Sequence, residues 1–241
     1  MEKDKCLVVI PTYNEAENLP LLVERLRAHF PCLIVDDNSP DGTGEVADAL
    51  HEKYGSFVRV LHREKKEGLG KAYLDGFAYA LRTSNRPYIG QMDADLSHPP
   101  EKMADLYWAV TQEDVDLAVG SRYIPGGGLD TDWAVWRKVL SRFANNYATT
   151  VLGSSLSDMT GAFRIWDRYL LEKVLSLPIT SEGYCFLIET LIIAERIFQA
   201  RIAEIPFYFK ERSNGESKLS LPIQIEAARR VWQMRGIKHA F

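Results

Sequence analysis

The sequence predicts a single α/β domain built on a mostly parallel sheet with helices on both faces. Three observations carry that expectation. Apolar runs of strand length alternate with segments of helical spacing, the runs end in polar turn clusters, and 241 residues are enough for one large core that no linker-like or low-complexity stretch divides.

The elements follow in order. Cys6–Ile10 is a continuous apolar run stopped by Pro11, and residues 15–30 then show helical spacing through Leu19, Leu22, Val23 and Leu26. The cycle repeats with Cys32–Asp36, the turn-rich Asn38–Thr43 and a helix toward His51. It repeats again with a strand over 57–61 and a helix over 72–82. A strand over 88–92, a helix after Pro100 and a strand over 116–119 continue it, which is the signature of parallel strands covered on both faces. After Tyr123 the pattern changes. Glycine-rich Ile124–Leu129 leads to a helix over 133–152, a polar turn over 158–164, another helix, a long helix over 186–198 and a last strand over 202–209.

Composition excludes several classes of function. A net charge of −4 argues against a general nucleic-acid binder. The three cysteines, Cys6, Cys32 and Cys185, form no Cys-x-x-Cys pair, so reduced cysteines in a cytoplasmic protein are expected rather than a zinc site or disulfide framework. Met1–Lys5 leads straight into the first strand without a signal-peptide pattern. The most apolar later stretch, 185–194, is short and broken by Glu189, so any membrane contact is expected to be peripheral.

The most informative run is Gln91–Pro100, with Asp93, Asp95 and Ser97 on alternate residues as a strand is expected to end at Pro99. In extended backbone alternate side chains share a face, so the three can converge on one hard cation, Mg²⁺ or Mn²⁺ by their oxygen ligands. Two other strand ends are also polar, Thr12–Glu15 and Asp36–Asn38. In a parallel sheet these ends lie along one edge, the usual ligand crevice. There Asp37 would accept hydrogen bonds from a ribose or base, Tyr13 would stack on the base and Glu15 would help orient it. Any one of them also fits a helix cap or turn residue. Gly68-Leu-Gly-Lys71 lacks the earlier glycine and the following Ser or Thr of a phosphate loop, which argues against an ATPase.

Read together, Ile10-Pro-Thr-Tyr-Asn-Glu15, Val35–Thr43, Met92–Pro99, Gly120-Ser-Arg-Tyr123, Asp158-Met-Thr-Gly161 and Arg212–Leu219 resemble the family 2 glycosyltransferases of GT-A fold, within them the dolichol- or polyprenol-phosphate mannose synthases. The resemblance implies one domain over residues 1–241, with a nucleotide-sugar half (1–123) and an acceptor half (124–241). It implies inverting transfer of mannose from GDP-mannose to a dolichyl or polyprenyl monophosphate. Pro11, Tyr13, Glu15, Val35 and Asp37 would surround the nucleotide, continued by Asp93, Ala94 and Asp95. Some members carry glutamine at the position of Ser97.

Polyprenyl phosphate is already an anion near neutral pH, its second pKa being about 6, so the nucleophile needs no strong base and the scattered histidines fit that chemistry. Cations must gather two anionic substrates and steady the departing GDP. The metal would act as Lewis acid, Arg212 and Lys218 would close over the diphosphate, and Arg122 and Arg137 match family positions that meet phosphates. Ser141 stands one helical turn from Arg137, and Asp158 is a further candidate for orienting the acceptor, though a turn cap explains it as well. An aromatic stripe through Trp133, Trp136, Phe143 and Tyr147 beside Arg137, Lys138 and Arg142, and a basic carboxyl-terminal segment, are candidate docking surfaces at the cytoplasmic face of a membrane. Carboxyl-terminal spans such as some relatives carry are not expected here, and relatives of this kind can depend on a membrane-anchored partner. The rival readings are a UDP-glucose-type donor, a non-catalytic nucleotide-sugar sensor and a nucleotidyltransferase.

Overall fold

The computed structural model describes residues 3–112, 114–210 and 221–237. Its seven-stranded sheet has the order β3-β2-β1-β4-β7-β5-β8, formed by β1 (Cys6–Thr12), β2 (Cys32–Asp36), β3 (Val58–His62), β4 (Tyr88–Gln91), β5 (Leu117–Ser121), β7 (Arg164–Asp167) and β8 (Ile202–Pro206). All neighbouring pairs are parallel except those of β7, which runs antiparallel between β4 and β5. A small second sheet pairs β6 (Gly128–Leu129) with β9 (Tyr208–Phe209).

The helices are α1 (Leu19–Leu26), α2 (Thr43–Tyr54), α3 (Leu69–Thr83), α4 (Met103–Gln112), α5 (Val135–Leu152), α6 (Arg168–Leu175), α7 (Cys185–Arg196) and α8 (Leu221–Met234). β1 is buried along its whole length because alternate residues feed different cores. Leu7 and Val9 join α3, α7 and Trp166 on one face, whereas Cys6, Val8 and Ile10 join α1, α4 and Phe163 on the other. That two-sided burial explains why the strand sequences are uninterruptedly apolar. α3 crosses the sheet so closely that a Cβ on Gly76 would sit 2.5 Å from Val9 Cγ1 and 2.8 Å from Val35 Cγ2, so only glycine keeps the helix seated there.

Several expected boundaries move. β4 ends at Gln91, not at Pro99, and Leu96 takes a left-handed φ of 61°. Residues 92–99 therefore form a loop, and the alternation argument for a shared face of Asp93, Asp95 and Ser97 does not hold. The single strand expected over 202–209 is two, β8 and β9. β7 was not expected, and only its first residue, Arg164, falls in the polar turn over 158–164. Its four residues begin with the fully buried Arg164, a charge that hid the strand.

Candidate active site

The carboxyl ends of β3, β2, β1 and β4 stand side by side, so Arg63, Asp37, Thr12–Glu15 and Asp93–Asp95 follow one another along one edge of the sheet. The loops after β1 and β2 are tied together. The Asn14 N–H donates to Ser39 Oγ at 3.1 Å, the Glu15 N–H to Thr43 Oγ1 at 2.9 Å and the Ala16 N–H to Asp41 at 3.2 Å. Asn14 and Asn38 sit at φ of 60° and 56°, a conformation asparagine accepts more readily than most residues. Asp36 is spent on this scaffold, accepting from Thr12, from the Ser39 N–H and, at 2.6 Å, from Ser39 Oγ.

Asp37 is nearly enclosed and accepts from the Arg63 guanidinium, from the Glu67 N–H at 3.3 Å and from the Gly68 N–H at 3.1 Å. Tyr13 is half-buried, with Lys66 Nζ 3.6 Å from its ring centre. Glu15 accepts from Asn18 at 2.8 Å. Pro11 and Val35 are paired neighbours inside β1 and β2.

At the end of β4, Asp93 accepts from the Tyr73 hydroxyl of α3 at 3.0 Å, while its N–H donates to His98 Nδ1 at 3.2 Å. Ala94 is buried. Asp95 Oδ1 accepts from both the N–H and the hydroxyl of Ser97, at 3.1 and 2.5 Å. Ser97 is fully enclosed. Its hydroxyl hydrogen is directed at Asp95, which makes it a brace for that carboxylate. His98 stacks on Phe163, ring centres 5.0 Å apart, and meets Phe207 and Phe209 edge-on. Burial pushes its pKa below the ordinary histidine value, although Asp93 and Asp95 pull the other way.

Farther along the edge, beyond β5, Arg122 grips Asp158 with Nε and Nη2 at 2.7 and 2.8 Å, while its own N–H bonds the same carboxylate at 3.1 Å. Nη2 also reaches Thr160 Oγ1 at 2.6 Å. Burial opposes ionisation of Asp158, but the Arg122 charge and hydrogen bonds hold its pKa below the ordinary range. Among the described residues Nη1 of Arg122 has no hydrogen-bond partner. On α5, the Arg137 guanidinium lies 4.7 Å from the Trp133 ring centre, and the Ser141 hydroxyl is 2.8 Å from that of Tyr123. Arg212 and Lys218 lie outside the described residues.

Sequence reasoning missed Arg63, Tyr73, His98 and Arg164. Arg63 carried a usable signal, being a charge one residue past the end of β3 on the edge that already held three polar clusters. Tyr73 sits in an apolar helical pattern, and His98, although inside the Gln91–Pro100 run, gives no sign of its partners.

A parallel sheet with carboxylates and cations along one strand-end edge defines an α/β protein that takes its ligand, typically a nucleotide, in that crevice. The chain belongs to glycosyl transferase family 2, whose family model matches residues 7–175. A polyprenol monophosphomannose synthase of Mycolicibacterium smegmatis is 44% identical over 96% of this chain and 88% of that protein. An undecaprenyl-phosphate mannosyltransferase of Micrococcus luteus is 42% identical over 92% of this chain and 90% of that protein. Among solved structures, glucosyl-3-phosphoglycerate synthase of Mycobacterium tuberculosis has the same GT-A fold, with TM-score 0.66, 19% identity, and 97% of this chain and 80% of that chain covered.

Proposed function

We propose that this chain is a polyprenyl-phosphate mannosyltransferase that moves mannose from GDP-mannose to a dolichyl or polyprenyl monophosphate, with inversion, at the cytoplasmic face of a membrane. The observation that carries the reading is likeness at 44% identity over 96% of the chain to a polyprenol monophosphomannose synthase. The edge geometry agrees with it. Asp37 and Tyr13 flank the nucleoside position with Pro11, Glu15 and Val35 around them, and Asp93, Ala94 and Asp95 lie toward the diphosphate.

The donor set suits Mg²⁺ or Mn²⁺. No group of three or more His, Cys, Asp or Glu side chains gathers among the described residues. Asp93 and Asp95 are thus two hard ligands, and these ions characteristically bind through one or two carboxylates with substrate phosphates and water completing the shell. When bound, such an ion supplies positive charge to the leaving diphosphate. The protein's own part is to hold that pair rigid, Tyr73 fixing one carboxylate and Ser97 the other, and to present Arg122 Nη1 to the phosphate side. Arg137 and Ser141 on α5 would face the acceptor phosphate, itself an anion near neutral pH, so no side chain need remove a proton. Arg212 and Lys218 would close over the donor.

No helix of the described residues is long and apolar enough to cross a membrane. On α5, Val135, Trp136, Val139 and Phe143 are 63–75% exposed, an apolar strip beside Lys138 and Arg142 suited to lie on an anionic lipid surface. α8 packs on α5 and exposes Trp232 with Arg235 over its ring at 4.3 Å.

The test is incubation of the purified protein with GDP-mannose and vesicles bearing a polyprenyl phosphate, with product identification and vesicle co-sedimentation. UDP-glucose in place of GDP-mannose, and chelator, are the controls. A mannosyl-phosphate lipid formed only with metal and GDP-mannose is expected. Glucose transfer, release of pyrophosphate, or GDP binding without turnover would move the protein to one of the rival classes.

A further inference from the structure

Beyond the residues placed around the donor so far, the carboxyl end of β3 contributes a group with no assigned role. Arg63 is the first residue past that strand, and its N–H extends the sheet ladder to Asp36 O at 2.9 Å. Its side chain is only 6% exposed and faces three carboxylates. Nη1 bonds Asp37, Nη2 bonds Glu67 at 3.0 Å, and Nε bonds Asp75 of α3 at 2.8 Å. One planar fork therefore ties together the end of β2, the 63–68 turn and α3, a grip that a point charge such as lysine cannot reproduce.

The consequence falls on Asp37. An ionised carboxylate offers about four acceptor positions. Oδ1 takes Arg63 and the Glu67 N–H, and Oδ2 takes the Gly68 N–H. Among the described residues, what remains is on Oδ2. Gly68 delivers its N–H from φ +94°, a conformation open to glycine, so the turn is shaped around this contact. The same turn lays Lys66 over Tyr13 and so covers a face of that ring.

We propose that Arg63 is a positioning residue for nucleoside recognition, holding the Asp37 carboxylate aimed so that the acceptor position on Oδ2 left open among the described residues takes an N–H or O–H donor of the bound nucleoside diphosphate. This rests on Asp37 lying at the nucleotide, as set out above. Without the guanidinium, Asp37, Glu67 and Asp75 are three like charges with no shared counterion. Asp37 then loses the contact that fixes its orientation.

The experiment is calorimetric titration of the full chain with GDP, and separately UDP, in Mg²⁺ buffer, for wild type, Arg63→Gln, Arg63→Lys, Glu67→Gln, Asp37→Asn and the double variant Arg63→Gln/Asp37→Asn. Transfer rate against acceptor concentration at saturating donor is measured in parallel. Arg63→Gln is expected to weaken nucleotide binding roughly tenfold or more, the usual scale for a lost charged hydrogen bond, with the acceptor KM unchanged. Arg63→Lys should recover part of that loss. In the Asp37→Asn background, removing Arg63 should cost little further, because the group it positions is already altered. Glu67→Gln removes an exposed arm without leaving a buried charge unpaired, so it should fold and give a smaller loss of the same kind even if Arg63→Gln does not fold. Wild-type-like binding by Arg63→Gln, additive losses in the double variant, or an equal loss in acceptor KM would overturn the proposal. Failure of the wild type to bind either nucleotide would instead sink the nucleotide reading of Asp37, and this inference with it.

Discussion

Replacing Asp158 by asparagine is the sharpest test of how the β5 end of the site is built. The carboxylate is fully enclosed and accepts four donors at 3.2 Å or less. Oδ2 takes the N–H and Nε of Arg122, and Oδ1 takes Nη2 of Arg122 and the N–H of Thr160. Asparagine preserves the shape but turns one oxygen into an NH₂. Whichever oxygen is lost, two donors then face a donor, and a buried guanidinium loses its counter-charge. Breaking a buried pair from one side costs about 3–5 kcal/mol, so Asp158→Asn should lower the melting temperature by roughly 6–20 °C for a chain of this size.

Urea and thermal unfolding of Asp158→Asn, Arg122→Met and the double variant form the assay. The double variant should be less destabilised than the sum of the singles, since no buried charge is then left alone. The sign with pH follows from the depressed carboxyl pKa. Its contribution is whole above the ordinary value of 3.8 and is lost as pH falls through the lower folded value. The stability gap between wild type and Asp158→Asn should therefore persist through neutral and mildly acidic solution and narrow only below pH 3.8. A gap under about 0.5 kcal/mol at pH 7, the range of an ordinary surface change, or strict additivity in the cycle, would refute the reasoning.

Three further outcomes are expected. Asp95→Asn should nearly abolish mannosyl transfer while keeping the melting curve near that of the wild type, and Mn²⁺ titration should show weakened metal binding; full activity of this variant in chelator-treated buffer would remove Asp95 from the site. Arg137→Ala should leave GDP-mannose affinity intact by calorimetry and cut transfer at limiting polyprenyl phosphate roughly tenfold or more, from the loss of a charged hydrogen bond of about 1.5–3 kcal/mol; equal losses in both measurements would return Arg137 to its contact with Trp133. His98 is buried with a lowered pKa, so the unfolded imidazole takes a proton near 6.5 before the folded one does, and stability should fall as pH drops below 6.5. His98→Gln should flatten that slope by at most about 1.4 kcal/mol per pH unit, and an unchanged slope would show that His98 protonates freely in the fold.

The sheet's parallel half was legible because burial on both faces leaves a plain record, an apolar run of strand length closed by polar residues, as in Cys6–Thr12 and Cys32–Asp36. β7 was not, because periodicity registers side chains that seek apolar neighbours. Arg164 is enclosed by carbonyl groups instead, bonding Gly161 O at 3.0 Å and Leu187 O at 2.9 Å, and burial pulls its pKa down to about 10. The residues of the strand ends were likewise legible while their geometry was not. Asp93 and Asp95 were picked out by an alternation that the loop after Gln91 does not have, and what fixes them comes from elsewhere. Tyr73 reaches Asp93 from a helix twenty residues earlier in the chain, and Asp95 is braced by Ser97 across a left-handed Leu96. Composition of a strand end can thus mark where a hard cation and a phosphate would meet. The rigidity that makes the meeting productive is set by hydrogen bonds between elements, and those pairings follow from the strand order, which periodicity does not record.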